Sequence, residues 1–323
     1  MKLLKSLPPL ILLVTTAVAA SCELELMVLG NAQDGGAPQL GNPGDPAWSD
    51  PSLARLATSL GLVDRRNQRR YLFEATPDLR LQLHRLNQLA PGSGPMPRLH
   101  GIFLTHAHMG HYTGLMFLGH ESMGARGVPV FAMPRMAAYL ASNGPWSQLV
   151  SYGNIEIHPL IANGPALLEG GISVTPLPVP HREEFSEVVG FRVDTPGLSV
   201  LFIPDIDSWE DWDARGVKIE DRIRSVDVAY LDATFFDDNE LPGRDMSGFP
   251  HPRIQGSMRR FAALPDGEKA KIRFIHLNHS NPARFPDSPK RARVLASGFR
   301  IAEEGETVCL LSSTEPASPQ THD

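Results

Sequence analysis

Three histidines fall within six residues in Thr105-His106-Ala107-His108-Met109-Gly110-His111. Imidazole is the commonest side-chain ligand for metals near neutral pH, and three so close together suit a divalent ion. In extended chain, side chains two residues apart point the same way, so His106 and His108 can converge on one point. His111 stands where a helix would begin and can face the same pocket. A solvated loop that happens to be rich in histidine is the plain alternative, and the density of ligands at one junction weighs against it.

The elements around this stretch must position it. Residues 102–104 are apolar and read as a buried strand, with a helix expected over 112–123. Other apolar runs end the same way. Residues 172–179 lead to His181, 199–203 to Pro204-Asp205, 226–231 to Asp232-Ala233-Thr234-Phe235-Phe236, and 272–275 to His276. In open α/β architectures the strand ends along one edge are where ligands bind. Residues 23–30 read as a first strand, followed by the Gly-rich turn 31–36, which is either a tight loop or a wall of the site. Residues 37–52 are rich in Pro and Gly and read as irregular. Further strands are expected at 70–75, 128–132, 155–158 and 307–311. Helices are expected at 79–89, capped by Asp78, at 134–143 and from 252 to 261.

His106, His108 and His181 form a three-histidine set, the pattern of a catalytic zinc with a position open for water. His111, Asp205 and His276 form a second set, with Asp205 able to bridge the two. His276 is preferred to His279 because it directly follows the strand. Asp232 suits the acceptor that a ligating imidazole needs behind it. Asp207, Asp237 and Asp238 read as surface charges, and His84, His100, His120, His158 and His322 as structural or solvent-facing.

The chain of 323 residues, 42% hydrophobic and 20% charged, has an ordinary globular composition able to bury a large core. Its net charge is −6, or −8 once the cations of Lys2 and Lys5 are subtracted (−6 minus 2), so a nucleic-acid footprint is not expected. Residues 1–21 read as an export leader, with Lys2 and Lys5, an apolar centre at 10–14 and the small-residue site Ala17-Val18-Ala19. The apolar part is too short to span a bilayer. The expectation is a periplasmic or secreted protein, with a lipoprotein anchored through Cys22 as the alternative. Residues 22–313 then make the folded domain, and 314–323 a disordered polar tail. Cys22 and Cys309 are the two cysteines, too few for a disulfide framework or a cysteine-based zinc ribbon.

The order of these residues resembles the metallo-β-lactamase superfamily, whose signature is His-x-His-x-Asp-His followed by a His, an Asp and a final His. Within it the chain looks most like the pyrroloquinoline quinone biosynthesis protein B (PqqB) group. That likeness rests on Val28-Leu29-Gly30-Asn31-Ala32-Gln33-Asp34-Gly35-Gly36-Ala37-Pro38-Gln39, Ala75-Thr76-Pro77-Asp78-Leu79-Arg80, Val179-Pro180-His181-Arg182, Asp232-Ala233-Thr234-Phe235 and His276-Leu277-Asn278-His279-Ser280-Asn281-Pro282. The resemblance implies a four-layer αββα sandwich with one or two zinc ions, or manganese or iron, at one edge. It also likens His251 to a proton donor of some phosphodiesterase members; otherwise His251 is a loop residue before Pro252. His251 and Asp205 are thus the catalytic candidates beside the ligands.

Two departures stand out. Gly110 occupies the place of a ligating Asp, so the second metal is expected to be held far less tightly than the first, and Gly110→Asp is expected to tighten it. A need for positive φ at Gly110 is the alternative. The cysteines that follow the first loop in many relatives are missing, so no structural zinc is expected. The leading expectation is an exported hydrolase acting on a small molecule. Its metal lowers the pKa of a bound water from about 15.7 to roughly 7, and the resulting hydroxide attacks a carbonyl or phosphoryl centre. A non-haem iron oxygenase using His111, His276 and Asp205 is the second reading, and a non-catalytic metal-binding or ligand-binding protein the third.

Overall fold

The computed structural model describes residues 21–90 and 98–313. The leader read at 1–21 lies, all but Ser21, outside the described residues, as does the tail read at 314–323. Two seven-stranded sheets pack face to face. The first holds β1 (Cys22–Gly30), β2 (Ser59–Asp64), β3 (Arg69–Phe73), β4 (Gly101–Phe103), β5 (Val128–Ala132), β6 (Ile155–Pro159) and β14 (Thr307–Ser312), in the order β14-β1-β2-β3-β4-β5-β6. The second holds β7 (Ala166–Leu168), β8 (Ile172–Pro178), β9 (Val189–Asp194), β10 (Val200–Ile203), β11 (Val228–Asp232), β12 (Ile272–Ile275) and β13 (Arg300–Ile301), in the order β13-β12-β11-β10-β9-β8-β7.

Strands in such a sandwich are covered on both faces, which is why β10 and β11 are apolar almost throughout. Leu24, Leu26 and Val28 of β1 meet Phe73, Phe103, Phe191 and Phe202 between the sheets. Each such ring contributes about 1.5–3 kcal/mol by leaving water. The helices Leu79–Leu89, Pro134–Ser142 and Trp146–Ser151 cover the outer face of the first sheet. Trp209–Ala214, Ile219–Arg224, Ile254–Arg260 and Pro289–Ala296 cover the second. The expected αββα sandwich is the fold observed.

Strand direction decides where the chemistry gathers. β1 is antiparallel to β2 and β2 to β3, while β3 and β4 are parallel, so β1, β3 and β4 end at the same edge. By the same parity β8, β10, β11 and β12 share an edge in the second sheet. The sheets meet there, the Val189 N–H donating to Thr105 O at 3.2 Å and the Ala107 N–H to Ser186 Oγ at 2.9 Å.

Local expectations needed correction in four places. The helix read over 112–123 is a single helical turn, Met109–Tyr112, followed by a 3-10 segment, Thr113–Leu118. Gly114 lies so close to the first helix's approach that a Cβ there would stand 1.9 Å from Thr76 O, and the tighter winding accommodates this contact. Asp78 occupies the N-cap position but does not cap; its carboxylate accepts the Ala57 N–H at 2.8 Å. β2 escaped the sequence reading because Gly61 interrupts it, and a Cβ at Gly61 would meet Leu86 at 2.6 Å. Cys22 of β1 and Cys309 of β14 lie on paired strands whose register shifts between residues 22 and 25, and with Cα atoms 5.7 Å apart they form a disulfide. Two cysteines make no framework, but they do staple the strand that begins the fold to the one that ends it.

Candidate metal centre

His106 and His108 follow β4, His181 follows β8 and Asp205 follows β10, and their ligand atoms lie within 4.8 Å of one another. His106 Nε2 is 3.6 Å from Asp205 Oδ2, and His181 Nε2 is 3.2 Å from His108 Nδ1. A second set overlaps the first through Asp205. His111 Nε2 lies 2.9 Å from Asp205 Oδ2, and His276 Nε2 lies 3.5 Å from the same atom. The structure therefore brings His106, His108, His111, His181, Asp205 and His276 to one edge.

It adds a member that the sequence reading missed. Asp34, in the Gly-rich turn after β1, places Oδ1 3.1 Å from His111 Nε2 and 3.4 Å from His276 Nε2. The second set is thus Asp34, His111, Asp205 and His276. The expectation of a set left short by Gly110 is corrected by this geometry. Gly110 has no positive φ, so the backbone does not require glycine there. Space does: a Cβ at 110 would stand 2.4 Å from Asp34 Cα and 2.5 Å from Asp34 Oδ1. An acid in a tight turn at a strand end was a visible signal, but nothing local ties it to residue 110.

Each ring is held from behind, as metal-binding imidazoles generally are. Thr105 Oγ1 lies 2.8 Å from His106 Nδ1, and Glu184 Oε2 lies 3.1 Å from His108 Nε2. Glu74, fully buried at the end of β3, stands 3.3 Å from His111 Nδ1. Asp207, read from sequence as a surface charge, is instead 2.7 Å from His181 Nδ1. It is placed there by the Pro204-to-Ser208 turn, which also puts the Asp207 N–H on Pro180 O. Asp232 accepts from the Thr234 N–H and hydroxyl and from the Ile206 N–H, and Thr234 Oγ1 lies 3.0 Å from His276 Nδ1. Asp232 therefore steadies His276 through Thr234.

His251 is buried in the site, with Nδ1 2.8 Å from Asp232 Oδ2 and 3.2 Å from Asp205 Oδ1. Its φ of 79° is a left-handed conformation that the surrounding contacts must enforce. His279 lies outside these groups, its Nδ1 3.0 Å from Asn42 Nδ2. The loop that lacks cysteines is held by a buried ion pair, Arg284 Nη2 to Asp45 Oδ2 at 2.5 Å. Asp237 pairs with Lys290 and Asp238 with Arg253, both away from the metal sets.

Burial and mutual repulsion from His111 hold His106 well below the usual imidazole range, so it stays neutral. Burial likewise lowers His108, against the pull of Glu184. Burial opposes protonation of His111, but Glu74, Asp205 and Asp34 outweigh it and raise the group well above its usual value. Burial disfavours the charge on Asp34 and on Asp205, yet the surrounding histidines hold both carboxyls well below the carboxylate range. His251 is pushed up to about 9 because Asp232 overcomes its burial.

The donor set fits a divalent cation. His106 Nε2, His276 Nε2 and Asp205 Oδ1 are buried with no hydrogen-bond partner, a costly arrangement for polar atoms unless they bind something. His106 Nε2 and His276 Nε2 lie 3.6 and 3.5 Å from Oδ2 of the shared Asp205, and Asp205 Oδ1 lies 3.9 Å from His181 Nε2. Imidazole nitrogens and carboxylate oxygens in fours are a normal environment for zinc, and for iron or manganese.

Comparisons with known proteins agree with this geometry. The model of the "Beta-lactamase superfamily domain" matches residues 69–271, more than half of the chain. That span takes in His106 through His251 but stops short of His276 and begins after Asp34. The "Coenzyme PQQ synthesis protein B" of Methylorubrum extorquens (strain PA1) is 26% identical over 317 residues, covering 89% of this chain and all of that one. Among solved structures, the Zn(2+)-bound PqqB from Methylobacterium extorquens superposes with a TM-score of 0.71 at 24% identity, covering 88% of this chain and 99% of its own. A diphosphatase from the PhnP family gives 0.62 at 22% identity, covering 88% and 96%. The chain belongs to the β-lactamase superfamily, with the metallo-β-lactamase fold and a likeness to PqqB along most of its length.

Proposed function

We propose that this protein is an exported metal-dependent hydrolase acting on a small molecule with a carbonyl or phosphoryl centre. The observation that carries the reading is the pair of four-residue ligand sets sharing Asp205, with buried donor atoms of their members left unpartnered. His106, His108, His181 and Asp205 would hold one ion and His111, His276, Asp205 and Asp34 a second; zinc is the first choice, as in the PqqB structure. An ion so bound supplies Lewis acidity and makes a coordinated water acidic enough to ionise near pH 7.

The chain's own groups supply the rest. His251 is oriented by Asp232 through Nδ1, which leaves Nε2 to meet a ligand, and Asp232 favours the protonated ring. A proton held there suits delivery to a leaving-group oxygen.

Two carboxylates in the second set favour this reading over the oxygenase, whose two-histidine, one-carboxylate triad leaves more positions open. A chain that kept the fold without the carboxylate usual at position 110 could be a binding protein only, and Asp34, which offers a carboxylate to the second set, favours the hydrolase over that reading. Export is supported by the leader-like residues 1–21 and by the Cys22–Cys309 bridge, since disulfides persist in oxidising compartments. A bridged Cys22 has no free thiol for a lipid, which favours the soluble form over the anchored one.

A screen of esters, phosphodiesters, lactams and lactones with zinc, manganese and iron tests the activity. Reproducible metal-dependent turnover that His106→Ala abolishes is expected. Substrate-dependent oxygen uptake without hydrolysis would transfer the case to the oxygenase, and no turnover of either kind to the binding protein. Fractionation of the native host is expected to place the processed chain outside the cytoplasm; an unprocessed cytoplasmic form would overturn export.

A further inference from the structure

We infer that Asp34 is a metal ligand relocated from position 110, delivered by the turn after β1 instead of by the histidine motif. The inference rests on the metal-binding reading above and concerns how the second ion is held. Superfamily members that carry Asp at the position of Gly110 offer that carboxylate from the same short segment as the histidines. Here position 110 has no side chain, and Asp34 of the turn 31–36 fills the space a Cβ would take.

Several independent features hold that turn in place. The Leu277 N–H donates to Asn31 O at 2.8 Å and the Gln33 N–H to Leu277 O at 2.9 Å, which locks the turn to the residue after His276. The Gly36 N–H donates to Gln33 O at 2.8 Å and closes it around Asp34. Gly36 has a φ of +71° and sits against Arg55 O, where a Cβ would stand 2.9 Å away. Asp34 itself has a φ of 23°, uncommon for a residue with a side chain. The resulting Asp34 Oδ1 faces both His111 Nε2 and His276 Nε2, and the latter, also 3.5 Å from Asp205 Oδ2, is buried without a hydrogen bond.

Gly110 is the complement of this arrangement. A Cβ there would collide with the Asp34 backbone as well as its carboxylate, so even alanine at 110 must push the turn away from His276. Glycine at 110 and aspartate at 34 therefore work as one unit. The second set carries Asp34 beside the shared Asp205, so its ion is expected to be firmly held.

Metal analysis tests this without reference to activity. The metal-free chain, Asp34→Asn, Gly110→Ala and the double variant are titrated with zinc against a chromogenic chelator and counted for metal after dialysis, with folding followed by circular dichroism. The unmodified chain is expected to keep two ions. Asp34→Asn and Gly110→Ala are each expected to weaken one of them by at least about tenfold, and the double variant to be no worse than either. Asp34→Asn with both ions held as tightly as before overturns the inference. Gly110→Ala with unchanged affinities overturns its spatial half. One ion that His106→Ala removes and Asp34→Asn leaves alone defeats this inference while sparing the metal reading; no ion at all defeats both.

Discussion

The two ligand sets share Asp205 but are built on different principles. The first takes three histidines from two strand ends, two of them neighbours in one loop, and meets solvent at His108, whose side chain is 17% exposed. The second draws its members from four loops after β1, β4, β10 and β12, and meets solvent at Asp34, 42% exposed. With a divalent ion in each, the joint centre sums to +2 (+4 minus the two carboxylates Asp34 and Asp205), and Asp34 belongs to the second set alone. Judged by motif completeness the second site looks impaired. Judged by charge and geometry it is the better neutralised of the two, because ligation depends on where an oxygen stands and not on which segment carries it.

The most damaging way to break the comparison is to remove what the sets have in common. Asp205→Ala is expected to lose both ions on dialysis and to lower kcat/KM by about three orders of magnitude or more. Metal content and turnover on the substrate found by screening check it. Retention of one ion would show that Asp205 serves a single set.

The groups behind the rings sharpen the contrast. Asp207→Asn, which perturbs the acceptor of His181, is expected to weaken the first ion by about 10–100-fold and leave the second unchanged. Thr234→Val, which removes the hydroxyl beside His276, is expected to do the reverse with a smaller effect, near the lower end of that range. Zinc competition titrations resolve the two ions.

The disulfide lies on β1, the strand that leads to Asp34. Cys22→Ser is expected to cost about 2–4 kcal/mol of stability, read from denaturant midpoints under non-reducing conditions. Metal content should not change, because the turn carrying Asp34 is tied to Leu277 independently of the bridge.

The smallest effect concerns Glu240, which accepts the Phe236 N–H at 2.6 Å and the Ser280 hydroxyl, and so joins the loops after β11 and β12 behind the second set. Burial pushes its carboxyl up from 4.5 to about 7. The folded chain then binds more protons than the unfolded chain between these values. Its contribution to stability is full below about pH 4.5 and declines as pH rises toward 7. Glu240→Gln is expected to flatten that slope in melting curves of the metal-loaded protein.

Much of this molecule was legible from its letters. Apolar runs ending in His, Asp or His marked the strands and the edge at which they finish, since strand ends and ligand types are local properties. Shorter elements such as Trp209–Ala214 and Ile219–Arg224 were not, because six residues give too little periodicity to read. Asp78 looked like a cap and is a link to Ala57, since a carboxylate serves whichever N–H the fold brings near.

By itself the sequence determined strands that end along one edge and six of the clustered side chains, His106, His108, His111, His181, Asp205 and His276, and its resemblance to a known superfamily implied the sandwich. Their spacing within a loop or their place after an apolar strand needs no knowledge of what lies opposite. Only the tertiary structure decided the roles of Asp34, Glu74 and Asp207 and the pairing of Cys22 with Cys309. Each depends on a contact between segments distant in sequence, set by strand register and loop packing; for Asp34 that contact also needs the missing Cβ at Gly110, a glycine the sequence shows without showing what lies against it.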